Sequence, residues 1–168
     1  MNKLPVAVAI ISALLSVSFL SPTMARAPLG FQLMCLNNPG ACKAGGAPSV
    51  TVNSDLITAL NRVNRQINRS ITPRNDQGPD VWSLSAKTGD CEDFVMAKRM
   101  ALLSMGLPSS ALRIAYVKTR QGEGHALLVI KSDKGDIALD NLTNEIKLLG
   151  ATGYQVMSLS GANPLKWF

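Results

Sequence analysis

The residues whose side chains are best suited to take part in a reaction form one short stretch, Gly89-Asp90-Cys91-Glu92-Asp93. Cysteine reacts as the thiolate, so a nucleophilic Cys91 needs a lowered thiol pKa or an adjacent base. The N-terminus of the helix predicted to start here favours the thiolate, whereas the flanking carboxylates disfavour it. The stretch therefore predicts a reactive thiol that depends on a proton acceptor, or on a bound cation that offsets the acids.

The proton acceptor is expected to be His125, the one histidine of the sequence, which follows a glycine-bearing loop and opens a predicted strand. A catalytic histidine needs an acceptor for its second ring nitrogen. Asp140 closes the next predicted strand, and in a hairpin the start of one strand lies opposite the end of the next. We therefore expect Asp140 to orient His125, in preference to Asp133 or Asp136 at the turn end.

Each of these residues also has a purely structural interpretation. A lone histidine is more often a satisfied core or surface residue than a base, and a lone cysteine at a helix start is more often structural. Together, however, their order places a cysteine at a helix start, a histidine at a strand start and an aspartate at the end of the next strand. This order matches the papain-like arrangement and favours catalysis.

The three cysteines of the sequence also separate into a pair and a single residue. Cys35 and Cys42 lie seven residues apart in a turn-rich segment, which predicts a disulfide in an oxidising compartment. That pairing leaves Cys91 as an odd cysteine, and an odd cysteine in an exported protein indicates intermolecular pairing or a reactive thiol. A zinc site is disfavoured because there is no CxxC spacing and no histidine pair.

Residues 1–27 predict a secretory signal peptide. Lys3 supplies the positive charge, residues 6–20 are almost wholly apolar, and Ala25-Arg26-Ala27 supplies a small-residue cleavage site. Cleavage after Ala27 would place Pro28 first, which is unfavourable, so cleavage after Ala25 is the alternative. The apolar run is short for a membrane anchor of about 20 residues. We expect a mature protein that is periplasmic or secreted, with no stable membrane anchor.

The length of 168 residues suits one domain, predicted to span 28–168. Removing residues 1–27 takes away Lys3 and Arg26 and no acid, so the net charge falls from +6 to +4. The arginines are spread along the chain with few aromatic residues between them, which argues against nucleic-acid binding.

The elements predict an α+β domain in which N-terminal helices and a nucleophile helix pack on an antiparallel sheet. Residues 28–50 are expected to be an irregular arm. A helix capped by Ser54 carries an apolar stripe, and a second helix runs from Cys91 to Met105, with Lys98 and Arg99 facing away from its stripe. Predicted strands follow at 112–118, 125–131, 136–140, 146–148 and 154–157.

Four stretches carry a resemblance to a known family: Gly89-Asp90-Cys91-Glu92-Asp93-Phe94, Lys98-Arg99, Gly122-Glu123-Gly124-His125-Ala126-Leu127-Leu128 and Leu139-Asp140-Asn141-Leu142. They resemble the bacterial transglutaminase-like cysteine proteinase family, whose members are exported and have a papain-like core. The resemblance covers roughly residues 31–168. It implies that Cys91 is the nucleophile, His125 the general base and Asp140 the orienting acid.

The best-understood branch of that family implies further properties. Its members are periplasmic proteases that clip a large adhesin from the outer membrane, and a membrane receptor inhibits them. They bind calcium beside the nucleophile through flanking acids, and Asp90 and Glu92 match those positions. Calcium takes oxygen ligands, and a cation there would offset the acids that raise the thiol pKa. The alternative is that Asp90 caps the helix and Glu92 is a solvated first-turn acid.

These observations predict an exported thiol hydrolase, a cysteine endopeptidase that acts through an acyl-enzyme without an organic cofactor. A transglutaminase or amidase with the same triad is one alternative, and a calcium-dependent binding module without catalysis is another. The backbone N–H of Cys91 is one expected oxyanion donor. Trp82, the one large apolar residue of the loop before Cys91, is the expected second donor.

Overall fold

A five-stranded antiparallel sheet and one helix packed on it organise the fold. The computed structural model describes residues 25–168, so most of the predicted signal peptide, residues 1–24, lies outside the described residues. The α-helices are α1 (Leu29–Asn37), α2 (Ser54–Ser70) and α3 (Cys91–Ser104). The strands are β1 (Ala25–Arg26), β2 (Thr72–Pro73), β3 (Thr88–Gly89), β4 (Leu112–Lys118), β5 (Gly124–Ile130), β6 (Ile137–Leu139), β7 (Lys147–Leu148), β8 (Gln155–Leu159) and β9 (Lys166–Trp167).

The large sheet has the order β7-β6-β5-β4-β8, and all its neighbouring strands are antiparallel. Consecutive strands from β4 to β7 pair as a meander, whereas β8 returns to the far side of β4. The apolar run at 126–130 is buried throughout, as a central strand with both faces covered requires. These features confirm the predicted α+β class with its antiparallel sheet.

Helix α3, which begins at Cys91, packs against β5 on one side and α2 on another. Its buried residues include Phe94, Met96 and Leu102. Lys98 and Arg99, which the sequence predicts to face away from the apolar stripe of this helix, are both buried. Since α3 is enclosed by neighbours on several sides, these two charged side chains are enclosed with it, and Arg99 Nε and Nη2 have no hydrogen-bond partner within residues 25–168.

The buried side chains of Arg99 and Lys98 have different surroundings. The Arg99 guanidinium donates to the carbonyl oxygens of Leu112, at 2.6 Å, and Ser109, at 3.3 Å, and so joins α3 to the start of β4. The Lys98 Nζ lies 5.9 Å from the centroid of the Phe94 ring. Burial lowers the pKa of Lys98 to about 7.

We expect Lys98→Met to raise the free energy of unfolding at pH 7 and to lose that advantage as the pH approaches 10.5. Burial lowers the pKa of Lys98 from 10.5 to about 7. Between these values the unfolded chain binds a proton that the folded chain does not. Wild-type stability therefore rises with pH in this window, by at most about 1.4 kcal/mol per pH unit.

Urea unfolding across this pH range measures the effect. Lys118→Met, at an exposed lysine that ends β4, is the matched control and should show a constant difference from wild type. A pH-independent difference for Lys98→Met would contradict the burial of a titrating amine.

The segment before α2 is more regular than expected. Instead of an irregular arm, it contains α1 and a short 3-10 helix, Pro39–Cys42. The ring of Phe31, on α1, contacts Trp82 and Trp167 edge-on at centroid distances of 5.1 and 6.1 Å. This packing stabilises a helix that local glycine and proline signals disfavour.

The disulfide predicted between Cys35 and Cys42 is present, with Cα atoms 5.6 Å apart, and links α1 to the 3-10 helix.

The N-terminus of α2 differs from the prediction. Its N-cap is Asn53 rather than Ser54, since the Asn53 side chain accepts a hydrogen bond from the Leu56 N–H at 2.8 Å. Within residues 25–168, no helix has the length and hydropathy needed to cross a bilayer.

Candidate active site

Cys91 is the first residue of α3 and the cysteine left outside the disulfide. Asp90 is the N-cap, but its side chain makes no capping hydrogen bond, so the first turn keeps unbonded backbone donors near the thiol. The Cys91 Sγ accepts a hydrogen bond from the Ala126 N–H at 3.3 Å and lies 3.0 Å from Glu92 Oε2, to which the thiol donates. The start of α3 is thus joined directly to β5, one residue beyond His125.

His125 and Asp140 are in contact, as the hairpin geometry predicts. The His125 Nε2 lies 2.7 Å from Asp140 Oδ1, and both side chains are buried. The pairing of β5 with β6, which runs from Leu128–Leu139 to Ile130–Ile137, brings the two together because it places the start of β5 near the residues that follow β6. With Nε2 engaged by Asp140, Nδ1 is the ring nitrogen that remains to accept a proton.

The Asp140 carboxylate is held by three donors. Besides His125, the Leu142 N–H donates to Oδ1 at 3.0 Å and the Tyr154 hydroxyl donates to Oδ2 at 2.9 Å. Burial acts to raise the pKa of Asp140, but these hydrogen bonds outweigh it and hold the pKa below its ordinary value. Asp140 is therefore an oriented anion beside His125.

Tyr154 is a residue of this site that the sequence analysis missed. Its ring meets the His125 ring edge-on, with centroids 6.0 Å apart, while its hydroxyl bonds Asp140. Burial and the Asp140 carboxylate raise the pKa of Tyr154 to about 12, so it is a hydroxyl donor at neutral pH. No spacing signal could find it, because Tyr154 precedes β8, which pairs with β4 rather than with the hairpin of His125 and Asp140.

We expect Tyr154→Phe to lower kcat about fivefold with little change in KM, because one hydrogen bond to the orienting carboxylate is worth about 1 kcal/mol. Steady-state kinetics on a cleaved peptide measures this. The same substitution added to Asp140→Ala should have no further effect, since its partner is then absent. Equal losses in both backgrounds would show that Tyr154 acts on something other than Asp140.

Two of the acids beside Cys91, Glu92 and Asp93, have raised carboxyl pKa values. Burial and the nearby Asp90 carboxyl raise the pKa of Glu92 to about 7. Burial also raises the pKa of Asp93 to about 6, although its Oδ1 accepts the Ser83 N–H at 2.7 Å. A side chain in place of Gly89 would overlap the Asp93 carboxylate, so the glycine is required for this close approach.

The thiol itself is disfavoured as an anion in this arrangement. Burial, followed by the charge of Glu92, raises the pKa of the Cys91 thiol well above its ordinary value, while the Ala126 N–H acts in the opposite direction. The expectation that the flanking acids oppose thiolate formation thus has a structural basis. Either neutralisation of Glu92 or transfer of the proton to His125 is needed for Cys91 to act as a nucleophile.

The residues matched to calcium by resemblance, Asp90 and Glu92, are two neighbouring carboxylates. Within residues 25–168, no three His, Cys, Asp or Glu side chains are grouped to hold a metal ion. Asp90 Oδ1, however, is a buried oxygen without a hydrogen-bond partner, and the Asp90 carboxyl lies close enough to Glu92 to raise the pKa of Glu92. Two carboxylates, one with an unused buried acceptor, are compatible with a hard cation that completes its shell with carbonyls and water.

Trp82 is buried beside the site, but its indole N–H is already used. It donates to Asp80 Oδ2 at 2.9 Å, so we do not retain Trp82 as an oxyanion donor. Its ring instead walls a cavity of about 330 Å³ that also touches Glu92, Ala126 and Trp167. The Cys91 N–H in the first turn of α3 remains the candidate donor.

Comparison with known proteins now identifies the protein class. The family model described as bacterial transglutaminase-like cysteine proteinase matches residues 22–168. The chain belongs to this family. The match confirms the predicted resemblance and, at the level of the family, the predicted class of cysteine peptidase. A comparison with curated proteins by sequence finds no match.

Solved structures similar to this member of the family include LapG from Legionella pneumophila in three forms. The calcium-bound form shares 25% identity with a TM-score of 0.57, over 64% of this chain and 66% of that chain. The EGTA-treated form shares 25% with a TM-score of 0.56, over 62% of each. A third LapG structure shares 25% with a TM-score of 0.57, over 64% of each. The chain thus spans slightly less than two thirds of these relatives, and the likeness supports the transglutaminase-like fold.

Proposed function

We propose that this family member is an exported thiol endopeptidase in which Cys91, His125 and Asp140 form the catalytic triad. The observation that carries the proposal is the 2.7 Å contact between His125 Nε2 and Asp140 Oδ1, one residue from the Ala126 N–H that holds Cys91 Sγ. A nucleophile, a base and an acceptor that orients the base are thereby brought to one place.

The proposed mechanism gives each group a role. His125 Nδ1 accepts the thiol proton, and Cys91 Sγ attacks the carbonyl carbon of a peptide bond. The Cys91 N–H at the start of α3 stabilises the oxyanion, and His125 returns the proton to the leaving amine. Water then hydrolyses the acyl-enzyme with His125 again as base. Asp140 stabilises the imidazolium that forms, held in place by Leu142 and Tyr154.

The thiol must first exchange its hydrogen-bond partner, because in the resting structure it donates to Glu92 Oε2. Calcium, when bound, would supply positive charge that offsets Asp90 and Glu92 and so favours the thiolate. The LapG forms described as calcium-bound and EGTA-treated support a role for calcium in a relative. The unpartnered Asp90 Oδ1 supports the same role in this chain.

We expect calcium removal by EGTA to slow Cys91-dependent cleavage at least about tenfold. It should also lower the melting temperature, since a ligand that binds only the folded state stabilises that state. Differential scanning fluorimetry and peptide cleavage measure the two effects. Asp90→Asn combined with Glu92→Gln should abolish both responses to EGTA. Unchanged activity and melting temperature after chelation of the wild type would remove calcium from the proposal.

The family and the predicted signal peptide support a proposal for the location and the substrate. We propose a periplasmic or secreted protein of one domain over residues 28–168 that acts on a surface protein, such as an adhesin, under the control of a membrane receptor. The modest net charge of the exported chain supports a protein substrate rather than a nucleic acid.

The proposed function is tested by incubating the exported protein with extracts of surface proteins and mapping the new N-termini by mass spectrometry. Wild type should produce cleavage products that Cys91→Ala does not, while Ser104→Ala, an exposed change at the end of the same helix, should behave as wild type. Products that carry an added amine instead of a new carboxyl end would indicate acyl transfer. The absence of any Cys91-dependent product would contradict the peptidase proposal.

A further inference from the structure

Residues 25–27 lie between two cavities of the described chain. The first, which we call the disulfide groove, has a volume of about 1010 Å³ and is lined by Ala25, Ala27, Leu36, Cys42 and Lys43 among others. The second, which we call the inner cavity, is the cavity of about 330 Å³ that contains Glu92 and Ala126. Arg26 lines both cavities, so this segment borders both the surface groove and the cavity that contains Glu92, the neighbour of Cys91.

This segment is held as a strand. Within β1, Ala25 and Arg26 pair antiparallel with Trp167 and Lys166 of β9. On its other side β9 and Phe168 are bonded to the end of β8 and the residues after it: the Phe168 N–H and C=O both bond Leu159, the last residue of β8, and the Lys166 C=O accepts the Gly161 N–H. Because backbone groups alternate along a strand, the N–H and C=O of Trp167 face β1. An extended chain at this edge therefore finds a ready hydrogen-bonding partner.

The attachment of β1 to the protein is slight. Ala25 and Arg26 are exposed, whereas Ala27 is buried as part of the main apolar core, and its carbonyl oxygen accepts a hydrogen bond from Gln32 Nε2 at 2.6 Å. The aromatic packing of Phe31 with Trp82 and Trp167 does not involve residues 25–27. Because the large sheet does not include residues 25–27 either, we expect that packing and the sheet to persist when these residues are removed, with the loss of the Ala27 methyl group from the core.

We propose that the free edge of β9, with the disulfide groove and the inner cavity on either side, binds an extended segment of the protein substrate. Residues 25–27 occupy this edge in the unprocessed chain. Cleavage after Ala27 would vacate it, whereas cleavage after Ala25 would remove only the pairing of Ala25 with Trp167. The inference rests on the proposed function, since it assigns a substrate-binding site to the same active centre. Backbone pairing with Trp167 supplies binding that does not depend on substrate sequence, and the inner cavity leads towards Cys91.

Binding can be measured without turnover in Cys91→Ala protein, prepared as the full chain and as a chain that begins at Pro28. The probe is a synthetic peptide of residues 23–28, Thr-Met-Ala-Arg-Ala-Pro. It should slow hydrogen exchange of the Trp167 amide at least about tenfold in the shorter chain and leave it unchanged in the full chain. A control peptide N-methylated at Ala25 should protect far less, because it lacks the donor that pairs with Trp167.

A second variant keeps β1 covalently present. In the full chain, Ala25→Pro removes the backbone donor of β1 and should speed Trp167 exchange at least about tenfold. Leu29→Pro is the matched control, because Leu29 is exposed and is the first residue of α1, where proline is tolerated. No acceleration by Ala25→Pro, or equal acceleration by Leu29→Pro, would overturn the pairing on which the inference depends.

The binding and cleavage experiments distinguish a failure of the β9 site from a failure of the peptidase proposal. Cys91-dependent cleavage by the wild type, without peptide protection of Trp167 in the shorter chain, overturns the β9 site and leaves the peptidase proposal intact. Equal protection in both chains also overturns the inference, since β1 would then not occupy the site. Protection confined to the shorter chain, without any Cys91-dependent cleavage, supports the β9 site and contradicts the peptidase proposal.

Discussion

His125→Ala is expected to reduce Cys91-dependent peptide cleavage by about 1000-fold or more. The Cys91 thiol is buried beside Glu92, and both effects raise its pKa, so the thiolate does not form without a base. His125 is the sole histidine of the sequence, and its Nδ1 is left open because Nε2 bonds Asp140. The values of kcat/KM for a peptide taken from a mapped cleavage site measure the loss.

Glu123→Gln is the matched control for this experiment. Glu123 is an exposed acid of the same loop, two residues before His125, and the change should leave kcat/KM within a factor of about two, as surface changes outside the site do. If His125→Ala retained more than a tenth of the activity, another group would have to be the base, and the proposed triad would be wrong.

Asp140→Ala is expected to have the second largest effect, a loss of about 100-fold or more in kcat. The substitution leaves the His125 ring without its orienting acceptor and the Leu142 N–H and Tyr154 hydroxyl without a partner. A buried donor left unpaired costs about 1–3 kcal/mol, so the free energy of unfolding should also fall. Steady-state kinetics and urea unfolding separate the two consequences.

The variant Asp140→Asn separates the orientation of His125 from the negative charge of Asp140. An asparagine keeps an oxygen that can accept from His125 Nε2 and from the Leu142 N–H, so orientation is retained while the negative charge is lost. We expect Asp140→Asn to retain at least about tenfold more activity than Asp140→Ala, if orientation outweighs charge. Equal losses in the two variants would show that stabilisation of the imidazolium by charge is the main role of Asp140.

The parts of the fold that the sequence predicts are those fixed by local patterns. The apolar run after His125 and the turn residues before Asp136 indicate a hairpin, and the hairpin alone brings His125 to Asp140. The short spacing of Cys35 and Cys42 likewise limits their pairing to a small loop, and the disulfide is present. In each case a few residues of sequence separation determine the contact.

The parts that the sequence does not predict depend on contacts between distant segments. Tyr154 reaches Asp140 only because the segment after β7 returns to pair with β4, and no periodicity in the sequence indicates that pairing. Lys98 and Arg99 look like solvent-facing charges on a helix, but α3 is enclosed by both α2 and the sheet. The sequence predicts Trp82 as an oxyanion donor, whereas in the structure its indole N–H donates a hydrogen bond to Asp80, two residues away.

The most direct test of the central claim needs no substrate. The rate of alkylation of Cys91 by iodoacetamide is measured at neutral pH with millimolar calcium present, for the wild type, for His125→Ala and for the urea-unfolded chain. The proposal predicts that the folded wild type reacts at least about tenfold faster than the unfolded chain, because a paired base lowers the effective thiol pKa, and that His125→Ala loses this excess. Equal rates in the folded and unfolded wild type, or an excess that persists in His125→Ala, would contradict a Cys91 nucleophile served by His125.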